Sequence, residues 1–106
     1  MPVPIYNVPF GEAVAVFRRF GFEVISRRRR GRGSHVILSN GEISITLTDW
    51  GSRPMRGATL GSEVERAGID VTAFLWALGR HNRRGHPAPR GWQPGMPVPA
   101  DERDRG

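Results

Sequence analysis

The feature that most constrains the fold of this chain is the dipeptide Asn40-Gly41, which stands between two runs of alternating apolar and polar residues. Both residues tolerate a positive φ, so the pair favours a two-residue turn between antiparallel strands. The predicted turn sets His35 opposite Thr46. Since successive side chains of a strand point to opposite faces, the hairpin has an apolar and a polar face, and His35 is expected to be exposed. The apolar face carries Val36, Leu38, Ile43, Ile45 and Leu47, and the polar face carries His35, Ile37, Ser39, Glu42, Ser44, Thr46 and Thr48.

A helix and a short strand are predicted to precede the hairpin. The apolar spacing from Phe10 to Phe17 is helical, and Gly21 is a suitable residue to end the helix. The β-branched and aromatic residues of segment 22–26 predict a first strand. The arginine-rich segment 28–33 is then expected to be the loop that joins this strand to the hairpin.

Two further helices are predicted after a loop. Thr59 is a candidate N-cap for a helix that ends at Gly68, and Asp70 is a candidate N-cap for a shorter helix that ends at Gly79. The order of elements is therefore helix, three strands, helix and a short second helix. This order predicts an α+β fold with a three-stranded antiparallel sheet and its helices on one, apolar face.

The chain divides into three segments. Segment 1–9 contains three prolines and is predicted to be an extended lead-in, and segment 10–79 is the domain. Segment 80–106 is rich in Gly, Pro and Arg and has few aliphatic side chains, so it is predicted to be a flexible tail. Trp92 is the one large apolar residue of this tail and is a candidate for docking on the domain.

The charge of the chain favours a polyanionic partner. Sixteen basic residues outnumber ten acidic ones, the net charge is +6, and every basic residue is an arginine. A guanidinium group matches phosphate oxygens through paired hydrogen bonds and stacks on bases. Five arginines fall within segment 27–32, a density that a general excess of arginine does not explain. Two interpretations of this segment remain open, a phosphate-binding loop and a solvated loop extended by its own repulsion.

The composition also bounds the location of the protein. With no cysteine, the sequence offers neither a disulfide nor a thiolate site, and nothing indicates an oxidising compartment. No apolar run approaches the ~20 residues that cross a bilayer, and the N-terminus lacks the pattern of a signal peptide. We therefore expect a cytoplasmic protein without membrane contact.

Several short motifs occur in the predicted order of elements. They are Phe20-Gly21-Phe22 at the end of the first helix, Gly33-Ser34-His35-Val36 at the start of the second strand, Ala58-Thr59-Leu60 at the start of a helix, and Ala67-Gly68-Ile69 and Phe74-Leu75 after it. Over roughly residues 10–78 the chain resembles the HicA-type toxins, which are small mRNA-cleaving proteins of bacterial toxin–antitoxin pairs. It departs from that family at Thr48-Asp49-Trp50, where a proline and a second histidine or polar residue are often found.

The resemblance implies a fold like the double-stranded-RNA-binding domain, α-β-β-β-α, and a metal-independent ribonuclease in which His35 is the catalytic residue. It implies no cofactor, and it implies a cognate HicB-type antitoxin as protein partner. Histidine suits acid–base catalysis because an imidazole gains and loses a proton near neutral pH. The residues expected to contact the RNA substrate are Arg28, Arg29, Arg30, Arg32, Ser34 and Thr46.

Two other functions remain open from the sequence. A non-catalytic RNA-binding module of the same fold shares every electrostatic expectation and differs only in giving His35 no chemical role. A protein-interaction domain, in which the arginines reflect codon bias, predicts that RNA binding is no stronger than that of any basic protein. In that case RNA binding does not change when the arginines of segment 28–32 are replaced by neutral residues.

Overall fold

The computed structural model describes residues 8–51, 53–81 and 85–102. Its elements are α1 (Phe10–Arg19), β1 (Glu23–Arg30), β2 (Gly33–Ser39), β3 (Ser44–Asp49), α2 (Gly57–Arg66), α3 (Val71–Ala77) and a 3₁₀ turn (Ala100–Glu102). The strands form one antiparallel sheet in the order β1-β2-β3, so the predicted α+β class is confirmed. No helix among these described residues is long and apolar enough to cross a membrane.

The hydrophobic core lies between one face of the sheet and the three helices. Phe17 of α1 is fully buried, and its ring centroid lies 5.7 Å from that of Phe22 and 5.0 Å from that of Phe74 on α3. The strands contribute Val36, Leu38, Ile45 and Leu47, and α2 contributes Leu60 and Val64. The helices therefore pack on the apolar face that the alternation predicted, and the opposite face of the sheet remains open.

The β2–β3 hairpin has the predicted faces but not the predicted register. His35 pairs with Thr48, whereas the two-residue turn placed it opposite Thr46. The Oδ1 atom of Asn40 accepts hydrogen bonds from the backbone N–H groups two and three residues later, at 2.9 and 2.7 Å, and these bonds stabilise a longer loop over residues 40–43. The predicted tight turn is therefore wrong. Because side chains alternate with a period of two, this shift of two residues leaves each side chain on its predicted face.

The arginine-rich segment forms a strand, and its prediction as a loop is wrong. β1 continues to Arg30, which pairs with Gly33, so that the turn contains only Gly31 and Arg32. Gly31 has a φ of +56°, a conformation that favours glycine. All eight residues of β1 are exposed, so the hydrogen-bonded ladder to β2 supports this strand more than side-chain burial does. A strand held in this way lacks the apolar alternation by which strands are predicted.

The second helix begins earlier than predicted, whereas the third begins where predicted. α2 starts at Gly57, and the N–H of Leu60 donates to the carbonyl of Arg56 at 3.0 Å. Thr59 therefore lies inside the helix, and its prediction as the N-cap is wrong. Asp70 does cap α3, because its Oδ1 atom accepts a hydrogen bond from the backbone N–H two residues later at 2.9 Å.

The side chain of Glu63 links α2 to the outer edge of the sheet. The carboxylate of Glu63 accepts a hydrogen bond from the backbone N–H of Thr46 at 2.9 Å. Because β3 pairs with β2 on one side only, this N–H points away from the sheet. Glu63 is 7% exposed, and Arg66 lies 3.4 Å from its second carboxylate oxygen. The bond satisfies an edge donor and fixes the distance between α2 and β3.

The described end of the predicted lead-in contacts the domain. Val8 is fully buried, and its carbonyl accepts a hydrogen bond from the N–H of Met55 at 2.9 Å. Residues 1–7 of the lead-in lie outside the described residues. The contact places the start of α1 beside the chain that enters α2.

Residues 85–102, within the segment predicted to be a flexible tail, pack against α3. Val98 is buried, and the ring of Trp92 lies 5.1 Å from that of Trp76 in an edge-to-face arrangement. The indole N–H of Trp76 donates to the carbonyl of His86 at 3.1 Å. Residues 82–84 and 103–106 lie outside the described residues. The sequence identified Trp92 as a docking candidate but gave no indication of Trp76 as its partner.

Candidate nucleic-acid interface

The face of the sheet opposite the helices, called the open face below, is built from rows of cross-strand neighbours. Row by row, its members are Glu23, Ser39 and Ser44, then Ser26, Ile37 and Thr46, then Arg28, His35 and Thr48, and finally Arg30 and Gly33. The central row consists of Arg28, His35 and Thr48, with His35 on the middle strand. Direct cross-strand neighbours have Cβ atoms ~4.5–5.5 Å apart. His35 is therefore exposed at the centre of this face, as predicted, with a guanidinium-bearing residue on one side and a hydroxyl-bearing residue on the other.

A depression of about 300 Å³ lies on the open face. It is lined by Ser26, Arg28, Arg30, His35, Ile37 and Thr46. The depression combines two guanidinium groups, one imidazole and two hydroxyl groups, and none of the described residues that line it is acidic. Arginine and hydroxyl donors of this kind bind the phosphates of nucleic acids. The arrangement therefore suits a polyanionic chain that crosses the sheet next to His35.

The structure separates the predicted RNA contacts into two groups. Arg28, Arg30 and Thr46 share the open face with His35, although Thr46 belongs to the row beside it. Arg29 pairs with Ser34 in a row on the helix side of the sheet, and Arg32 lies in the turn between β1 and β2. Alternation along β1 thus divides the arginine run between the two faces of the sheet. The predicted loop gave no basis for this division.

Arg27 and Asp49 are joined on the helix side of the sheet. The Nη1 atom of Arg27 donates to Oδ2 of Asp49 at 3.0 Å, and the guanidinium lies 5.3 Å from the centroid of the Phe10 ring. The backbone N–H of Gly51 donates to Oδ1 of Asp49 at 2.9 Å. The bond from Gly51, followed by the bond from Arg27, lowers the pKa of the Asp49 carboxyl group below its usual value, against the opposing effect of burial. Asp49 therefore does not face His35.

Trp50 lies directly after β3, and its indole packs on β2. A Cβ atom at Gly33 would lie 3.0 Å from Cε3 of Trp50 and 3.2 Å from the carbonyl oxygen of Asp49. The indole therefore covers the backbone of Gly33, two residues before His35 on the same strand face, where a larger residue would crowd it. Trp50 is 44% exposed. Trp50 lies beside Gly33 only in the observed register of β2 and β3. The predicted register, shifted by two residues, could not reveal this contact.

The other two histidines lie away from the open face. His81 follows α3, and the Nδ1 atom of His86 lies 2.8 Å from a carboxylate oxygen of Glu102. His35 is thus the one imidazole of the open face. Within residues 8–51, 53–81 and 85–102, no group of three or more potential metal-ligating side chains is placed to hold an ion.

Comparison with known proteins gave no relative: no family model matches the chain, and searches of curated proteins and of solved structures found no significant match. The fold and the open face define an α+β protein with a basic, exposed sheet surface. The resemblance to the HicA-type toxins stays a prediction that rests on the sequence motifs.

Proposed function

We propose that the protein is a metal-independent endoribonuclease that resembles the HicA-type toxins and cleaves mRNA on the open face, with His35 as general acid/base. The observation that supports this most is the position of His35. It is exposed at the centre of the sheet, and Arg28 is its direct neighbour on β1. A phosphate held by Arg28 would lie within reach of the imidazole.

In the proposed reaction the RNA supplies its own nucleophile. The imidazole of His35 removes the proton of a ribose 2′-OH, and the 2′-oxygen attacks the adjacent phosphorus. The bond from phosphorus to the 5′-oxygen of the next nucleotide breaks, and that oxygen takes a proton from a water molecule, while the imidazolium returns its proton to the resulting hydroxide. The products are a 2′,3′-cyclic phosphate and a 5′-hydroxyl group. Arg28 stabilises the negative charge that builds up on the phosphate oxygens.

One positioned imidazole contributes about 10²–10⁴-fold to such a reaction. We therefore expect a slow enzyme, adequate for a toxin that acts on mRNA in the cytoplasm. The proposal includes a HicB-type antitoxin as protein partner. An acidic surface on that partner would complement the basic open face and cover it.

The test replaces His35 with alanine and uses His81→Ala as the matched control. His81 is an exposed histidine outside the open face. Growth and total mRNA integrity are followed after induction of each form in bacteria, and the purified proteins are incubated with single-stranded RNA in the presence of EDTA. We expect the intact protein and the His81 variant to stop growth and cut RNA, and the His35 variant to do neither. RNA with a 2′-deoxyribose at the cleaved position should resist cleavage.

A second candidate, a non-catalytic RNA-binding module, is favoured by one observation. The described open face carries a single imidazole, whereas a separate base and acid would serve this reaction better. Under this candidate the intact protein and His35→Ala act alike on growth and leave RNA uncut. Neutralising Arg28 and Arg30 should weaken RNA binding in both cases.

A further inference from the structure

We propose that Trp50 and Arg56 form a nucleotide subsite beside the open face, in which Trp50 stacks on one base of single-stranded RNA and Arg56 binds a phosphate of the same RNA. This inference rests on the proposed function, because it requires that RNA crosses the open face. It adds the class of substrate, an unpaired strand, and assigns a role to residues outside the central row.

The first argument for the subsite is that Trp50 is exposed to solvent and is also held in place by β2. Trp50 is 44% exposed, whereas Trp76, in the core of the C-terminal contact, is 5% exposed. The Trp50 ring nevertheless packs on β2, since a Cβ atom added to Gly33 would lie 3.0 Å from Cε3 of the ring. A ring held in this way keeps an aromatic surface toward solvent without adopting many rotamers, so little conformational entropy is lost when a base stacks on it.

The second support is a separate cavity that Trp50 also lines. It has a volume of about 270 Å³ and is lined by Thr48, Trp50, Met55, Arg56 and Thr59. An aromatic ring and a thioether provide an apolar surface, while a guanidinium and two hydroxyl groups provide donors. Arg56 is exposed, so its charge is accessible. Ligand sites commonly combine an apolar lining with a few polar groups in this way.

The third support is the continuity of this cavity with the open face. Thr48 lines the cavity, and it is also the direct neighbour of His35 in the central row. An RNA strand with one phosphate at Arg28 and His35 can therefore continue over Thr48 to Trp50 and Arg56. The order of groups is guanidinium, imidazole, hydroxyl, indole and guanidinium across the sheet and its β3 edge.

The chemistry of these groups selects an unpaired base. Stacking on an aromatic side chain needs a base whose face is free, and bases within a duplex have both faces occupied. Stacking tolerates every base, because each has a π-face. Protein partners also use exposed tryptophan residues. Among the described residues, however, the lining carries guanidinium and hydroxyl donors and no carboxylate, which favours a phosphate-bearing ligand.

The experiment measures binding of a fluorescently labelled, unstructured 12-nucleotide RNA to full-length protein that carries His35→Ala, so that the RNA is bound without being cut. Trp50→Ala, Trp50→Phe and Met96→Ala are added to this background. Met96 is a comparably exposed apolar residue, at 48%, in the C-terminal segment and serves as the matched control. Thermal unfolding of each variant verifies that it is folded.

We expect Trp50→Ala to weaken binding about tenfold, which corresponds to ~1.4 kcal/mol and lies within the range for one stacked base. Trp50→Phe should retain most of the affinity because its ring still stacks, and Met96→Ala should bind normally. Binding of a 12-base-pair RNA duplex should not change with Trp50→Ala.

Three results would overturn the inference. Equal affinity of Trp50→Ala and its parent for single-stranded RNA excludes the stacking subsite while leaving the proposed ribonuclease intact. An equal loss for the duplex shows that Trp50 does not select unpaired bases. If the His35→Ala parent binds no single-stranded RNA at low salt, the proposed function fails together with the subsite.

Discussion

Replacing Glu63 with alanine tests how the open face is held in place. Glu63 is 7% exposed, and its carboxylate is the acceptor for the edge N–H of Thr46 at 2.9 Å. A hydrogen bond to a charged group contributes about 1.5–3 kcal/mol, and its removal leaves a partly buried N–H without this acceptor. The ion pair with Arg66, whose own side chain is exposed, adds at most about 0.5 kcal/mol. Alanine has the higher helix propensity, which offsets part of the loss, so we expect about 2 kcal/mol of destabilisation.

The expected shift in melting temperature follows from the size of the chain. With an unfolding entropy of about 2.1 cal/mol/K per residue, 2 kcal/mol corresponds to a decrease of about 9 °C. Calorimetry or circular dichroism would measure the shift, and urea unfolding would give the free energy. Glu65→Ala is the matched control, because Glu65 is exposed on the same helix. Glu63→Gln should lose about half as much, since its amide oxygen still accepts the bond without a charge.

The reasoning fails if Glu63→Ala and Glu65→Ala have the same melting temperature. It also fails if Glu63→Gln is as unstable as Glu63→Ala, because the acceptor oxygen would then contribute nothing. Either result would mean that packing alone holds α2 against β3.

Two further predictions concern the C-terminal segment and the Asp49 carboxylate. Val98→Ala should lower the free energy of unfolding by about 1–2 kcal/mol, because Val98 is buried, whereas Met96→Ala at an exposed site should change it by less than about 0.5 kcal/mol in urea unfolding. The pKa of Asp49 is lowered in the folded state, so its stabilising effect is complete above the unfolded pKa of about 3.9 and is lost as the pH falls through the lower, folded value. The free energy of unfolding of the intact protein minus that of Asp49→Asn should therefore be constant around neutral pH and shrink below about pH 4. A difference that stays constant down to pH 2 would contradict this linkage.

The faces of the sheet were predictable from the sequence, whereas the neighbours of His35 were not. Alternation over residues 35–48 determines which side chains point to the core, and a shift of two residues preserves that alternation. The sequence therefore predicted the exposure of His35 correctly although it placed Thr46 where Thr48 stands. The side chain of Asn40 decides the loop length through its bonds to two backbone N–H groups, and the preference of Asn-Gly for a tight turn does not include that interaction.

The arginine run shows a second limit of prediction from sequence. Apolar periodicity detects a strand only when one of its faces is buried, and every residue of β1 is exposed. As a strand, the run sends Arg28 and Arg30 to the open face and Arg27 and Arg29 to the other. The sequence thus identified the basic segment, but the backbone conformation determined which arginines can act with His35.

By itself, the sequence determined the helices, the two faces of the central hairpin, the basic character of the surface and the isolated position of His35 among polar residues. These properties depend on the spacing of residues near one another in the chain, which fixes the direction of a side chain relative to its own helix or strand. Only the tertiary structure decided that Arg28 lies beside His35, that Trp50 covers Gly33, that Glu63 joins the edge of β3, and that Val98 is buried near α3. These contacts join residues distant in sequence, and their formation depends on the free energy of the whole packed chain.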